Sequence, residues 1–177
     1  HLLVIGDSIA EGTNQTDDAP ESWPQLIDKA RQRGDVLICA TGGDATSNVN
    51  YLATIFQHFT PRYVLLQIGV NDTSDATWRT NMAGLIAAIT AAGAQPILCT
   101  YTPRADRPSN LKSADIRARF FGALPFIDVA AAVSDNDTSW LAGMANPDLV
   151  HPSSLGAAAI SVRALLDQPS LLDGART

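Results

Sequence analysis

Five short apolar runs punctuate the chain: Leu2–Ile5, Val36–Cys39, Tyr63–Ile68, Pro96–Tyr101 and Pro125–Val129. Each is rich in Val, Ile or Leu and continuous rather than alternating, the pattern of a strand covered on both faces in a parallel sheet. Between and after them the spacing predicts helices over Ser22–Arg33 (following an acidic turn), Thr46–Phe59, Thr77–Ala92, Ser109–Phe121 and Ser153–Asp167. In TWRTNMAGLIAAITAAG the apolar residues recur at helical intervals, and Gly93 stands just past the end as a natural cap. In HPSSLGAAAISVRALLD, Pro152 is expected in the first turn, where its missing N–H costs nothing.

Strand and helix thus alternate five times. Right-handed crossovers turn that order into a three-layer α/β/α sandwich on a five-stranded parallel sheet. No internal repeat interrupts it, and the polar stretch Pro103–Asn110 reads as a surface loop, so residues 1–177 are expected to form a single domain. The first strand begins at residue 2, so the start reads as trimmed or excised from a longer chain. The compartment stays open between secreted, cell-surface and particle-associated.

Composition narrows the function classes. Of 177 residues, 46% are hydrophobic and 17% charged, enough to bury a core without a disulfide or metal staple. The net charge is −6 with no run of Lys or Arg, which argues against a nucleic-acid or anionic-membrane surface. No apolar stretch is long enough to predict membrane insertion. Cys39 and Cys99 lie in strand-like runs and are expected as reduced, buried thiols. With one plausible ligand histidine and no Cys pair, no metal or other cofactor is expected.

In such sheets ligands bind beyond the carboxyl ends of the strands. Gly6-Asp7-Ser8 follows the first strand, Thr41-Gly42-Gly43-Asp44 the second, Gly69-Val70-Asn71-Asp72 the third, and Asp148-Leu149-Val150-His151 comes after the last. Ser8 is either a turn residue or a hydroxyl nucleophile. Of the three histidines, His1 is terminal and His58 sits at a predicted helix end, where a C-terminal charge partner is the expected role. His151 is the candidate base, because imidazole exchanges protons near neutrality and Pro152 holds its backbone extended. Asp148, three residues earlier, either caps a turn or orients that imidazole. Asn71 is either an Asx turn or a neutral amide donor to a developing oxyanion.

These blocks resemble the SGNH hydrolases, also called GDSL-type esterases. The resemblance rests on Gly6-Asp7-Ser8-Ile9, the Gly42-Gly43 block, Gly69-Val70-Asn71-Asp72 and Asp148-Leu149-Val150-His151-Pro152, in family order over nearly the whole chain. It implies a flavodoxin-like sandwich and ester hydrolysis through an acyl-enzyme. Ser8 would be the nucleophile, His151 the base and Asp148 the orienting acid. The oxyanion hole would be the Ser8 N–H, a backbone N–H from the second block and the Asn71 amide. That block departs from the family's spacing: Gly43 takes the oxyanion position if one gap is allowed, Asp44 if not, with Gly42 adjacent. Gly43 is preferred, because a carboxylate beside a forming oxyanion would repel it.

Two enzymatic rivals fail on the sequence. An α/β-hydrolase needs several strands before its nucleophile and a second glycine after it; a dinucleotide-binding module needs G-x-G-x-x-G. A non-catalytic carbohydrate-binding domain of the same fold would be expected to have lost one of the chemical parts. Short connections without an apolar lid favour a small acyl group, so an O-acetylated carbohydrate ester is the expected substrate, with a short-chain lipid ester or thioester as the alternative. Trp78, Trp140 and the loop Arg104–Asn110 are candidate sugar contacts, structural roles being the expectation for each tryptophan.

Overall fold

The computed structural model describes residues 1–13, 22–104, 106 and 109–173. The acidic turn before Ser22 and parts of the Arg104–Asn110 loop lie outside these residues. Five parallel strands form one sheet: β1 (Leu2–Gly6), β2 (Val36–Ala40), β3 (Tyr63–Gln67), β4 (Gln95–Cys99) and β5 (Phe126–Ile127). Their order is β2-β1-β3-β4-β5, so the direction of strand addition reverses between β1 and β3. That reversal opens a crevice at the carboxyl ends of these two strands. The expected parallel α/β sandwich is present.

Burial follows strand position. Every residue of β1 and β3 is buried, including the polar Gln67 at the end of β3, whereas edge strand β2 is half-covered and exposes Leu37. Gly6 is required at the end of β1: a Cβ there would collide with the Cβ of Ala10. Cys39 and Cys99 are both free thiols, Cys99 fully buried and Cys39 partly so.

The helices are α1 (Ser8–Glu11), α2 (Trp23–Arg31), α3 (Leu52–His58), α4 (Asp75–Ala91), α5 (Asn110–Arg117), α6 (Val129–Val133) and α7 (Ser154–Asp167). Three differences from the sequence expectation have local causes. The predicted helix over Thr46–Phe59 is a 3₁₀ turn at Thr46–Asn48 followed by the shorter α3. Thr46 is pulled aside by Asp72, and the Asn48 side chain accepts from the Ala45 N–H, so side chains compete with helical pairing. Pro152 is not in the first turn of α7; Ser153 is the N-cap, its hydroxyl accepting from the Gly156 N–H, and Pro152 bridges Ala145 instead. The last strand is only two residues long, because Asp128 leaves the ladder to cap α6. Gly93 does follow α4 in the left-handed conformation, φ +79°. Among the described residues no helix is long and apolar enough to cross a membrane.

Candidate active site

Ser8 opens α1 directly after β1 and is 8% exposed. Asp7 caps that helix, its Oδ1 accepting from the Ile9 N–H at 3.0 Å. The other Asp7 oxygen has no hydrogen-bond partner among the described residues. Burial pushes the Asp7 carboxyl from 3.8 up to about 7, against the lowering influence of the Ile9 N–H and of Arg104. A carboxyl that titrates near neutrality therefore sits one residue from the hydroxyl.

His151 reaches Ser8 from the opposite end of the chain. Its Nε2 lies 2.8 Å from Ser8 Oγ, and its Nδ1 lies 2.7 Å from Asp148 Oδ2. The other Asp148 oxygen accepts the backbone N–H groups of Val150 (2.9 Å) and His151 (3.0 Å). One carboxylate thus folds the turn and faces the ring. The turn is closed by the Asn146 N–H on the His151 carbonyl, and Leu149 within it takes a left-handed backbone, φ +54°. The Trp140 indole donates to the Leu149 carbonyl at 3.0 Å, so this tryptophan braces the turn. An imidazole held by a carboxylate at Nδ1 presents Nε2 as the acceptor for a hydroxyl proton. His58, by contrast, is exposed in the last turn of α3.

Asn71 stands on the turn after β3. Its Nδ2 donates to the Asp44 carbonyl (2.9 Å), and its Oδ1 accepts from Arg104 (2.9 Å). Gly69, at φ +136°, needs to be glycine twice over: a Cβ would lie 2.5 Å from Trp78 Nε1 and 2.6 Å from the Tyr101 hydroxyl. That pair is itself fixed, Trp78 donating to Tyr101 and Tyr101 to the Ile68 carbonyl. Trp78 is fully buried and is a support for this turn, not a surface contact. Beneath it, the buried Lys112 ammonium donates to the carbonyls of Gly69 (3.1 Å) and Asp72 (2.6 Å). The Asp72 carboxylate accepts from the Thr46 hydroxyl and N–H.

The Gly42–Gly43 block forms a tight turn closed by the Asp44 N–H on the Thr41 carbonyl. Gly43 has φ +84° and open space where a Cβ would be, whereas a Cβ on Gly42 would lie 3.7 Å from that of Ser8. The Asp44 N–H is committed within its turn. Gly42 is the glycine that meets Ser8, with Gly43 beside it.

Sequence reasoning missed three supports. Lys112 reads as an ordinary exposed lysine of a polar helix. The Thr46–Asp72 and Trp140–Leu149 contacts join residues 26 and nine positions apart with no pattern to announce them. Among the described residues no group of three or more His, Cys, Asp or Glu side chains is arranged to hold a metal ion.

Solved structures share this architecture. "TesA" superposes with a TM-score of 0.78 at 20% identity, over 97% of this chain and 99% of that one. The psychrotrophic esterase EstA from Pseudoalteromonas sp. gives 0.77 at 16%, over 98% of each. An acetylxylan esterase from Geobacillus stearothermophilus gives 0.66 at 17%, over 94% and 92%. No curated protein sequence matches the chain. The profile of the GDSL-like Lipase/Acylhydrolase family matches residues 4–159, most of the chain and all four blocks of the candidate site. The chain therefore belongs to the GDSL-like lipase/acylhydrolase family, the SGNH hydrolases.

Proposed function

We propose that this hydrolase cleaves carboxylic esters through a covalent acyl-serine, with Ser8 as nucleophile, His151 as general base and then acid, and Asp148 as the carboxylate that orients the ring. The observation that carries the reading is the unbroken relay Ser8 Oγ to His151 Nε2 (2.8 Å) and His151 Nδ1 to Asp148 Oδ2 (2.7 Å). Ser8 Oγ attacks the carbonyl as its proton passes to His151, giving a tetrahedral oxyanion. The Ser8 N–H, the N–H of Gly43 or the adjoining Gly42, and the Asn71 amide stabilise that charge. His151 returns the proton to the leaving alkoxide. Water then enters, gives its proton to His151 and releases the acid, restoring Ser8.

The substrate we infer is a small acyl ester, most simply acetate on carbohydrate. The shared fold with an acetylxylan esterase supports it. A second reading has its own observation. Leu149, on the turn that carries His151, is more than half exposed and offers apolar surface to a short acyl chain of a lipid ester or thioester. The deciding experiment compares kcat/KM on acetylated oligosaccharides with that on p-nitrophenyl esters of rising chain length. The carbohydrate reading expects acetyl esters to be cleaved fastest and acetylated sugars to exceed p-nitrophenyl acetate. A maximum at about four to six carbons replaces it with the short-chain lipid reading, and a maximum at eight carbons or longer overturns both.

A further inference from the structure

The amide of Asn71 is clamped at both ends. Its nitrogen donates to the Asp44 carbonyl, on the same turn that places Gly42 against Ser8, and its oxygen accepts from Arg104. Flipping the amide would set carbonyl against carbonyl at Asp44 and NH₂ against guanidinium at Arg104, two repulsions in place of two hydrogen bonds. Arg104 is itself held. Its Nε and second terminal nitrogen donate to the two carboxylate oxygens of Asp106, at 3.0 and 2.6 Å, and its side chain is only 10% exposed. A planar guanidinium fixed by one bidentate partner presents its remaining edge in a single direction, which a lysine ammonium does not. That edge meets Asn71 Oδ1.

We propose that Arg104 is a positioning residue for the oxyanion hole. A cation on the amide oxygen draws electron density from the nitrogen and makes the Asn71 N–H groups stronger donors as negative charge forms on the substrate. Because that charge is largest in the transition state, the effect falls on kcat more than on KM. Arg104 touches no reacting atom; it acts through Asn71. The inference rests on the reading of Asn71 as an oxyanion donor given above.

The test is a double-mutant cycle on p-nitrophenyl acetate with the wild type, Arg104→Met, Asn71→Ala and the double variant, each checked for folding by thermal melting. Arg104→Met is expected to lower kcat on the order of 10- to 100-fold, no more than the roughly 100-fold or greater cost of removing an oxyanion donor itself, with KM nearly unchanged. In the Asn71→Ala background the same change is expected to cost nothing further. Arg104→Lys, which keeps the charge but not the fork, is expected to recover part of the loss. Equal losses in both backgrounds, or an undiminished kcat in Arg104→Met, overturn the role of Arg104 while leaving Asn71 in place. An undiminished kcat in Asn71→Ala overturns the oxyanion assignment, and the role of Arg104 with it. If Arg104→Met melts early, the cycle is read from Arg104→Lys and Arg104→Gln by the same criteria.

Discussion

Nε2 of His151 lies 2.8 Å from Oγ of Ser8, although 143 residues separate them along the chain. The hydroxyl is fixed by β1 and the Asp7 cap, the imidazole by the turn that Asp148 folds, so the contact depends on two independent supports. Ser8→Ala is expected to remove esterase activity by at least about 10⁴-fold and to abolish labelling by a fluorophosphonate, with the melting temperature held. Cleavage of p-nitrophenyl acetate by this variant at the wild-type rate would overturn the assignment.

Asp148→Asn separates the two jobs of that carboxylate. The asparagine Oδ1 can still accept from Val150 and His151, so the turn and the fold are expected to survive. Its NH₂ cannot accept the Nδ1 proton, which leaves the ring in the wrong tautomer. The expected loss in kcat is roughly 10³- to 10⁴-fold. A loss below tenfold would mean the carboxylate serves only the turn.

Gly69→Ala is expected to be destabilising by on the order of 2–5 kcal/mol, since it combines a disallowed backbone with two close contacts. Tyr101→Phe removes one of the three atoms the new methyl meets but leaves the Trp78 indole and the Ile68 carbonyl without their partner, so the double variant is expected to lose less than the sum of the two single losses. Urea unfolding of the single and double variants measures this; additive losses would show that the crowding at Tyr101 is not the cause.

Asp7 makes stability depend on pH in a sense opposite to most carboxylates. Its carboxyl is raised from 3.8 to about 7 in the folded protein, so between about pH 4 and pH 7 the folded state holds a proton that the unfolded state has released. Stability from this group is therefore present at low pH and lost as pH rises towards and through 7. Asp7→Asn keeps an oxygen for the Ile9 N–H and removes the titration. Its stability relative to the wild type should improve by on the order of 2 kcal/mol from pH 5 to pH 8. Parallel melting curves for the two proteins over that range would contradict it.

The strands were legible because β1 and β3 are covered on both faces and so are almost wholly apolar, Gln67 being the one polar residue in either. Hydrophobic runs read less well at the margins: Pro125–Val129 shrinks to two residues because Asp128 turns from ladder to cap. Thr46–Phe59 has a helical composition, but its first turn answers to a carboxylate 26 residues away. Three blocks of the candidate site stood out since each follows a strand end, where chemistry and turn residues coincide; the fourth stands just before α7. Their supports did not, because Lys112 and Trp140 act through backbone carbonyls, and a carbonyl has no signature in a sequence. Arg104 lay in a loop named only as a candidate sugar contact, and nothing in its sequence announced that its Nη donates to the Asn71 amide.

The order β2-β1-β3 gives the two halves of the site unequal lifetimes. The first strand is laced to a neighbour on each side, and its amides should exchange with heavy water only when the whole sheet opens. The 146–151 turn hangs on a handful of bonds near the surface, so its amides should exchange sooner. Mild denaturant is then expected to silence the protein reversibly before its far-ultraviolet signal moves, because the imidazole departs while the serine stays seated.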